Sequence, residues 1–226
     1  MGRMTPQRPR RADHRTPLTR ERVLDAAIAL ADERGIEALT MRSLGEALGV
    51  EAMSLYNHVA NKDDLLDHMV DEVIGEFGVP ASDADWKTAL RASALSAHEV
   101  LLRHPWASRL LITRDNSLAP GRSRYMDSVL GALRNGGLSA ELTHHAYHAL
   151  DFHLLGFTVQ EVSFAFDADE LEQLAESVLR DLPAADYPHL VEHILGHLRS
   201  EFADRSGFEF GLDLILDGLE KLRETG

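Results

Sequence analysis

Residues 189–193 read His-Leu-Val-Glu-His. On a helix, His189 and His193 fall one turn apart, a spacing at which two imidazoles hold zinc, and Glu192 between them is placed to activate a metal-bound water. Only 33 residues follow His193, which leaves little chain for a third ligand and a substrate cleft. Leu190, Ile194 and Leu198 give this helix a core face of its own. His197 extends the stripe, and His144, His148 and Asp151 form another at spacings of four and three. A helical zinc hydrolase using His189, Glu192 and His193 is therefore the alternative to the reading that follows, which places the histidines on solvated or interface faces and assigns no catalytic residue, metal or cofactor.

Residues 40–62, TMRSLGEALGVEAMSLYNHVANK, carry a different chemistry. Two helices crossing at a steep angle need a small residue at their contact, a glycine able to take positive φ in the turn, and a few buried aliphatics. Gly45, Gly49 and the set Leu44, Leu48, Val50 and Leu55 meet those needs. Ser43, Glu46, Glu51, Ser54, Asn57 and His58 fall off the apolar positions, so the second helix keeps a polar face that fits a DNA major groove. A satellite helix pair in an all-α core, as in a protein-interaction module, meets the same spacing.

The elements around this stretch are helical throughout. Thr19 is an N-cap, followed by Val23, Leu24, Ala27, Ile28, Leu30 and Ala31 at helical spacing up to Gly35. Further helices are predicted from Thr40 to Gly49, from about Glu51 to His58, after Asn61, and from Trp86 to His104. An irregular stretch through Pro120 and Gly121 precedes a helix ending at Asn135, then come a long helix from Ser139, an acidic one near 169–180, and two more to Leu222. No strand pattern of useful length and no internal repeat interrupts them.

The 226 residues hold no cysteine, which excludes a disulfide scaffold, a thiol nucleophile and thiolate metal sites. No apolar run approaches the length of a spanning helix, and the reading is of a cytoplasmic protein with no membrane partner. The net charge of −14 is unevenly spread. Residues 1–62 carry ten basic and eight acidic residues, a net of +2, and the remainder thirteen and twenty-nine, a net of −16. A mildly basic module with an Arg-rich arm is fused to an acidic body, which must face away from any nucleic acid the module holds.

The head strongly resembles the TetR family of bacterial transcriptional regulators. The match rests on Arg22, Ala26, Ala27, Gly35, Leu39, Thr40 and Arg42, then LGV at 48–50, LYNHV at 55–59 and NKDDLL at 61–66. FGLDLILDGLEKL at 210–222, the Trp86 region and NGGLS at 135–139 are similar to the tetracycline-repressor branch. The resemblance implies an all-α fold: an N-terminal three-helix helix-turn-helix head and a larger helical ligand-binding and dimerisation body. Residues 1–18 would be a disordered basic arm, 19–66 the DNA-binding domain and 67–226 the effector-binding and dimerisation domain. The implied function is a ligand-responsive regulator, a repressor released from a palindromic operator by a small molecule.

Site roles follow from the same resemblance. Thr40 and Arg42 would touch phosphate and possibly a base, and Tyr56, His58 and Lys62 would hold phosphates. Ala52, Met53, Ser54 and Asn57 would face the groove. Tetracycline repressors carry an amide, a proline and a tryptophan where Ala52, Met53 and Asn57 stand, so the operator sequence does not transfer. They also place a histidine that completes a drug-bound metal at the position of Leu111, and another ligand-binding histidine at Gly78; without these a metal–tetracycline chelate loses its anchor. The effector pocket would be lined by Ser93, Ala97, Leu111, Tyr125, Tyr147 and Asp151. Phe208, Leu212, Ile215, Leu219 and Leu222, spaced four, three, four and three, form a heptad stripe expected at a homodimer interface, with Gly211 and Gly218 on an adjoining face and Glu209, Asp213 and Asp217 on a solvated one; docking of the stripe on the body core is the alternative, and a second apolar side at Phe210, Leu214 and Leu216 suggests two partners for this helix.

Overall fold

A computed structural model describes residues 17–114, 119–164, 168–198 and 206–225. Among them the chain forms helices α1 (Arg20–Arg34), α2 (Met41–Leu48), α3 (Ala52–Leu55), α4 (Lys62–Gly75), α5 (Trp86–Arg103), α6 (Pro105–Thr113), α7 (Pro120–Asn135), α8 (Ala140–Ser163), α9 (Ala168–Asp181), α10 (Pro188–Leu198) and α11 (Gly207–Thr225), with a 3-10 turn at Ile36–Ala38. Apart from Pro17 and Leu18, the arm expected at 1–18 lies outside the described residues.

Local chemistry sets the helix ends. Thr19 Oγ1 accepts from Arg22 N at 3.2 Å, Asn61 Oδ1 from Asp64 N at 2.9 Å, and Ser139 Oγ from Leu142 N at 3.1 Å. Thr40 and Ser43 exchange side-chain and backbone hydrogen bonds as a capping box. Proline opens α6 and α7, where its missing N–H costs nothing. Sequence reasoning left 105–121 irregular; Pro105 and Pro120 are instead first helical residues. The third helix spans four residues rather than the eight expected, because Tyr56 leads directly into the turn before Asn61.

The head packs α1, α2 and α3 around Val23, Leu39, Leu44 and Leu55. Helix α4 runs unbroken across residue 66, with Leu65 and Met69 in the same core as the head and Ile74 further along it. Its middle is tied to the body: Asp71 accepts from the backbone N–H of Gly121 at 2.7 Å, and Asp67 from Arg114 Nε at 2.7 Å. In the body, α8 packs against α5, α6, α7 and α11.

Helix α11 departs from its expected orientation. Phe208, Leu212 and Leu219 are buried inside their own chain, while Ile215 is half-buried and Leu222 exposed. Phe208 stacks on His98 of α5, with ring centroids 3.9 Å apart, and on His153 of α8 at 4.9 Å. A Cβ at Gly211 would lie 2.4 Å from His153 Cε1, so this glycine serves a contact within the chain; one at Gly218 would meet open space. The acidic side is not a solvated face either. Arg91 pairs with Glu209 at 2.5 Å and Asp213 at 2.8 Å, and Lys87 with Asp217 at 2.6 Å and Glu220 at 2.7 Å. The heptad stripe thus faces the protomer's core. The period marks which positions are apolar, and the α5 cations decide which way they turn.

Candidate nucleic-acid interface and effector cavity

The helix-turn-helix is built by its two glycines. Gly49 ends α2 at φ 68° and ψ 33°, a left-handed conformation that favours glycine. A Cβ on Gly45 would lie 3.0 Å from the Val50 carbonyl and 3.2 Å from Ala52 N, so only a bare α-carbon lets the turn close against α2. Leu55 is buried, which turns the opposite side of α3 outward. Met53 is 73% exposed, Tyr56 and Asn57 are exposed, and Ala52, Ser54 and His58 are half-buried. Thr40, Arg42 and Lys62 are exposed as well. Arg42 Nε bonds Glu46 at 2.9 Å, which leaves the terminal NH2 groups of the guanidinium to reach a phosphate. Lys62 is the first residue of α4, and Asp63 and Asp64 follow it in the same turn.

The second site is a pair of small adjoining spaces between α4, α5, α6, α7 and α8. Tyr125, Tyr147, Asp151 and Leu154 line both. Of the residues expected here, Ser93 lines the first and Leu111 the second; Ala97 lines neither and is plain core. Burial raises the Asp151 carboxyl, against the lowering pull of Arg122 and His148. Burial also raises the Tyr125 hydroxyl and, with Asp151 nearby, pushes Tyr147 up to about 12, so both tyrosines are hydrogen-bonding phenols at neutral pH. Sequence reasoning missed Phe77, which meets Tyr125 edge-on at 5.1 Å, and Arg122. Neither belongs to a motif, and only the fold brings them to this wall.

At Gly78 the space is already filled. Its N–H donates to Ser96 Oγ at 3.0 Å, its carbonyl accepts from Ser93 Oγ at 2.6 Å, and a Cβ there would sit 2.9 Å from Ser96 Oγ.

The family model "Tetracyclin repressor-like, C-terminal domain" matches residues 79–223, and "Bacterial regulatory proteins, tetR family" matches 23–69. The chain belongs to the TetR family. The HTH-type transcriptional repressor DrrR1 of Streptomyces coeruleorubidus is 33% identical over 231 residues, covering 96% of this chain and 83% of that one. Tetracycline repressor protein class D of Escherichia coli is 31% identical over 212 residues, covering 90% and 89%. The structure of the TetR family protein ActR from Streptomyces coelicolor, in complex with actinorhodin, aligns with a TM-score of 0.75 at 30% identity, covering 92% and 99%. The protein is accordingly a DNA-binding transcriptional regulator of that family.

The comparisons give the hydrolase alternative no support. His189, Glu192 and His193 stand exposed on α10, and Leu190, expected in a core face, is exposed too. Among the described residues no three His, Asp or Glu side chains gather to hold a metal ion, and none of the helices is long and apolar enough to cross a membrane.

Proposed function

We propose that this regulator is a cytoplasmic repressor that leaves a near-palindromic operator when a small aromatic molecule bearing oxygen substituents fills the cavity around Tyr147. The head, residues 19–66, carries the DNA contacts. Ala52, Met53, Ser54 and Asn57 face the groove, and Thr40, Arg42, Tyr56, His58 and Lys62 hold the phosphates on either side. The arm at 1–18 adds basic charge, and residues 67–226 supply the effector site and the dimer contact. The observation that carries the DNA assignment is the outward side of α3, held by buried Leu55.

The effector class follows from the cavity wall. Phe77, Tyr125 and Tyr147 offer ring surfaces, and the two phenols, Ser93, Asp151 and Arg122 offer hydrogen bonds to hydroxyl and carbonyl groups. ActR, a relative of similar fold, takes actinorhodin. A metal-chelated tetracycline is disfavoured because Leu111 provides no ligand and the neighbourhood of Gly78 is closed by Ser93 and Ser96.

A second copy covers the side of α8 and α11 that one chain leaves open. Phe152 is 69% exposed and Leu214 58%, with Phe210 and Leu222 about half exposed. These replace Phe208, Leu212 and Leu219 as the residues that meet the partner, with Ile215 at the edge. The whole reading is tested by anisotropy of a labelled operator titrated with actinorhodin as the probe. Release is expected from the native protein, and Tyr147→Ala should hold the operator but need at least tenfold more probe. Equal release in both would remove the cavity from the account.

A further inference from the structure

A larger cleft opens between head and body and shares no residue with the effector cavity. Ile36 and Glu37 border it from the turn after α1, Trp106 and Arg109 from α6, and Val159 and Val162 from the end of α8. We propose that this cleft is a second ligand site, selective for a hydrophobic organic amine.

The charge of the walls selects the sign of the ligand. Two carboxylates, Asp32 and Glu37, oppose one guanidinium, Arg109. Helices α1 and α8 both end at the cleft, at Arg34 and Ser163, and α6 begins there at Pro105, so two partially negative helix ends face one partially positive one. The chain's net charge of −14 raises the local concentration of any cation. Asp32 is already engaged, accepting from Trp106 Nε1 at 2.7 Å and from His104 Nδ1 at 2.9 Å. Glu37 is exposed, and no ion pair engages it among the described residues. Glu37 is therefore the carboxylate that meets an ammonium group. The aliphatic wall of Ile36, Val159 and Val162 takes the apolar body, and the indole of Trp106 offers a cation–π contact. A molecule seated here touches head and body together, so its occupancy biases their relative position independently of the effector cavity.

The test is calorimetric titration of the full-length protein with 1-naphthylmethylamine, a cation at neutral pH, and with its neutral isostere 1-naphthalenemethanol. The amine is expected to bind once per chain and at least tenfold more tightly than the alcohol. Glu37→Gln should cost the amine about tenfold and leave the alcohol unchanged, whereas amine binding should persist in Tyr147→Ala. No binding of the amine, equal affinity for the two probes, or indifference to Glu37→Gln would overturn the proposal. Loss of amine binding in Tyr147→Ala would move the ligand to the effector cavity and overturn it equally, without touching the reading of that cavity.

Discussion

Trp106 Nε1 donates to Asp32 Oδ1 at 2.7 Å, joining α1 of the DNA-binding head to α6 of the body. His104 Nδ1 shares the same carboxylate, at 2.9 Å from Oδ1 and 3.0 Å from Oδ2. Both donors are on side chains that are themselves buried. Removing the acceptor therefore strands two polar groups in the junction. Asp32→Ala should lower unfolding stability by about 1–3 kcal/mol, read as a lower urea midpoint at unchanged slope. An unchanged midpoint would mean that the junction contributes nothing to stability.

Phosphate contacts by the head predict a steep salt dependence. The logarithm of operator affinity should fall linearly with the logarithm of salt concentration, and Lys62→Ala should reduce that slope by about one unit. The substitution should weaken good and poor operator variants alike. A slope unaffected by Lys62→Ala would take this lysine off the DNA.

Base reading predicts the opposite pattern at Ser54 and Asn57. Replacing either with alanine should relax preference at particular base pairs by about 1–3 kcal/mol while leaving the others as they were. Affinities for all single-base variants of the operator check this, and a uniform loss would assign these side chains to positioning rather than readout.

The helix-turn-helix was legible because its determinants are local. Gly45, Gly49, the Thr40 cap and the Leu44 and Leu55 anchors all act within residues 40–55, so their spacing is their geometry. Helix α11 was misread for the converse reason. Its stripe of Phe208, Leu212 and Leu219 is periodic, but whether a stripe meets the same chain or a second copy depends on distant partners. Lys87 and Arg91 lie about 120 residues away in sequence, and they turn the acidic side toward α5. Ser93, Tyr125, Tyr147 and Asp151 converge as the family resemblance implied, whereas Phe77 and Arg122 reach the cavity only through the packing of α4 on α7.

The exposed side of α11 gives a dimerisation test that the buried stripe does not. Leu214→Glu places a charge on the open face and should yield folded monomers by light scattering, with specific operator binding lost. Leu219→Glu puts its charge in the protomer core and should unfold the body. A Leu214→Glu protein that stays dimeric would move the interface elsewhere.

Asp151 makes the effector cavity costly to keep. Burial raises its folded pKa, so the ionised carboxylate destabilises the native state above that value, and the penalty fades as the group protonates on lowering the pH. Asp151→Asn should therefore raise the melting temperature at neutral pH, with the advantage shrinking toward the acid range. A constant difference across pH would show that Asp151 pays no such penalty.

The central claim is that two copies of α3 read one DNA face under two-fold symmetry. Selection of bound fragments from a random duplex pool by the full-length protein tests it most directly. The account predicts one enriched near-palindrome, with half-sites about one helical turn, ~34–36 Å, or a multiple of it apart. Recovery of no enriched sequence, or of a single half-site without its inverted mate, would contradict it.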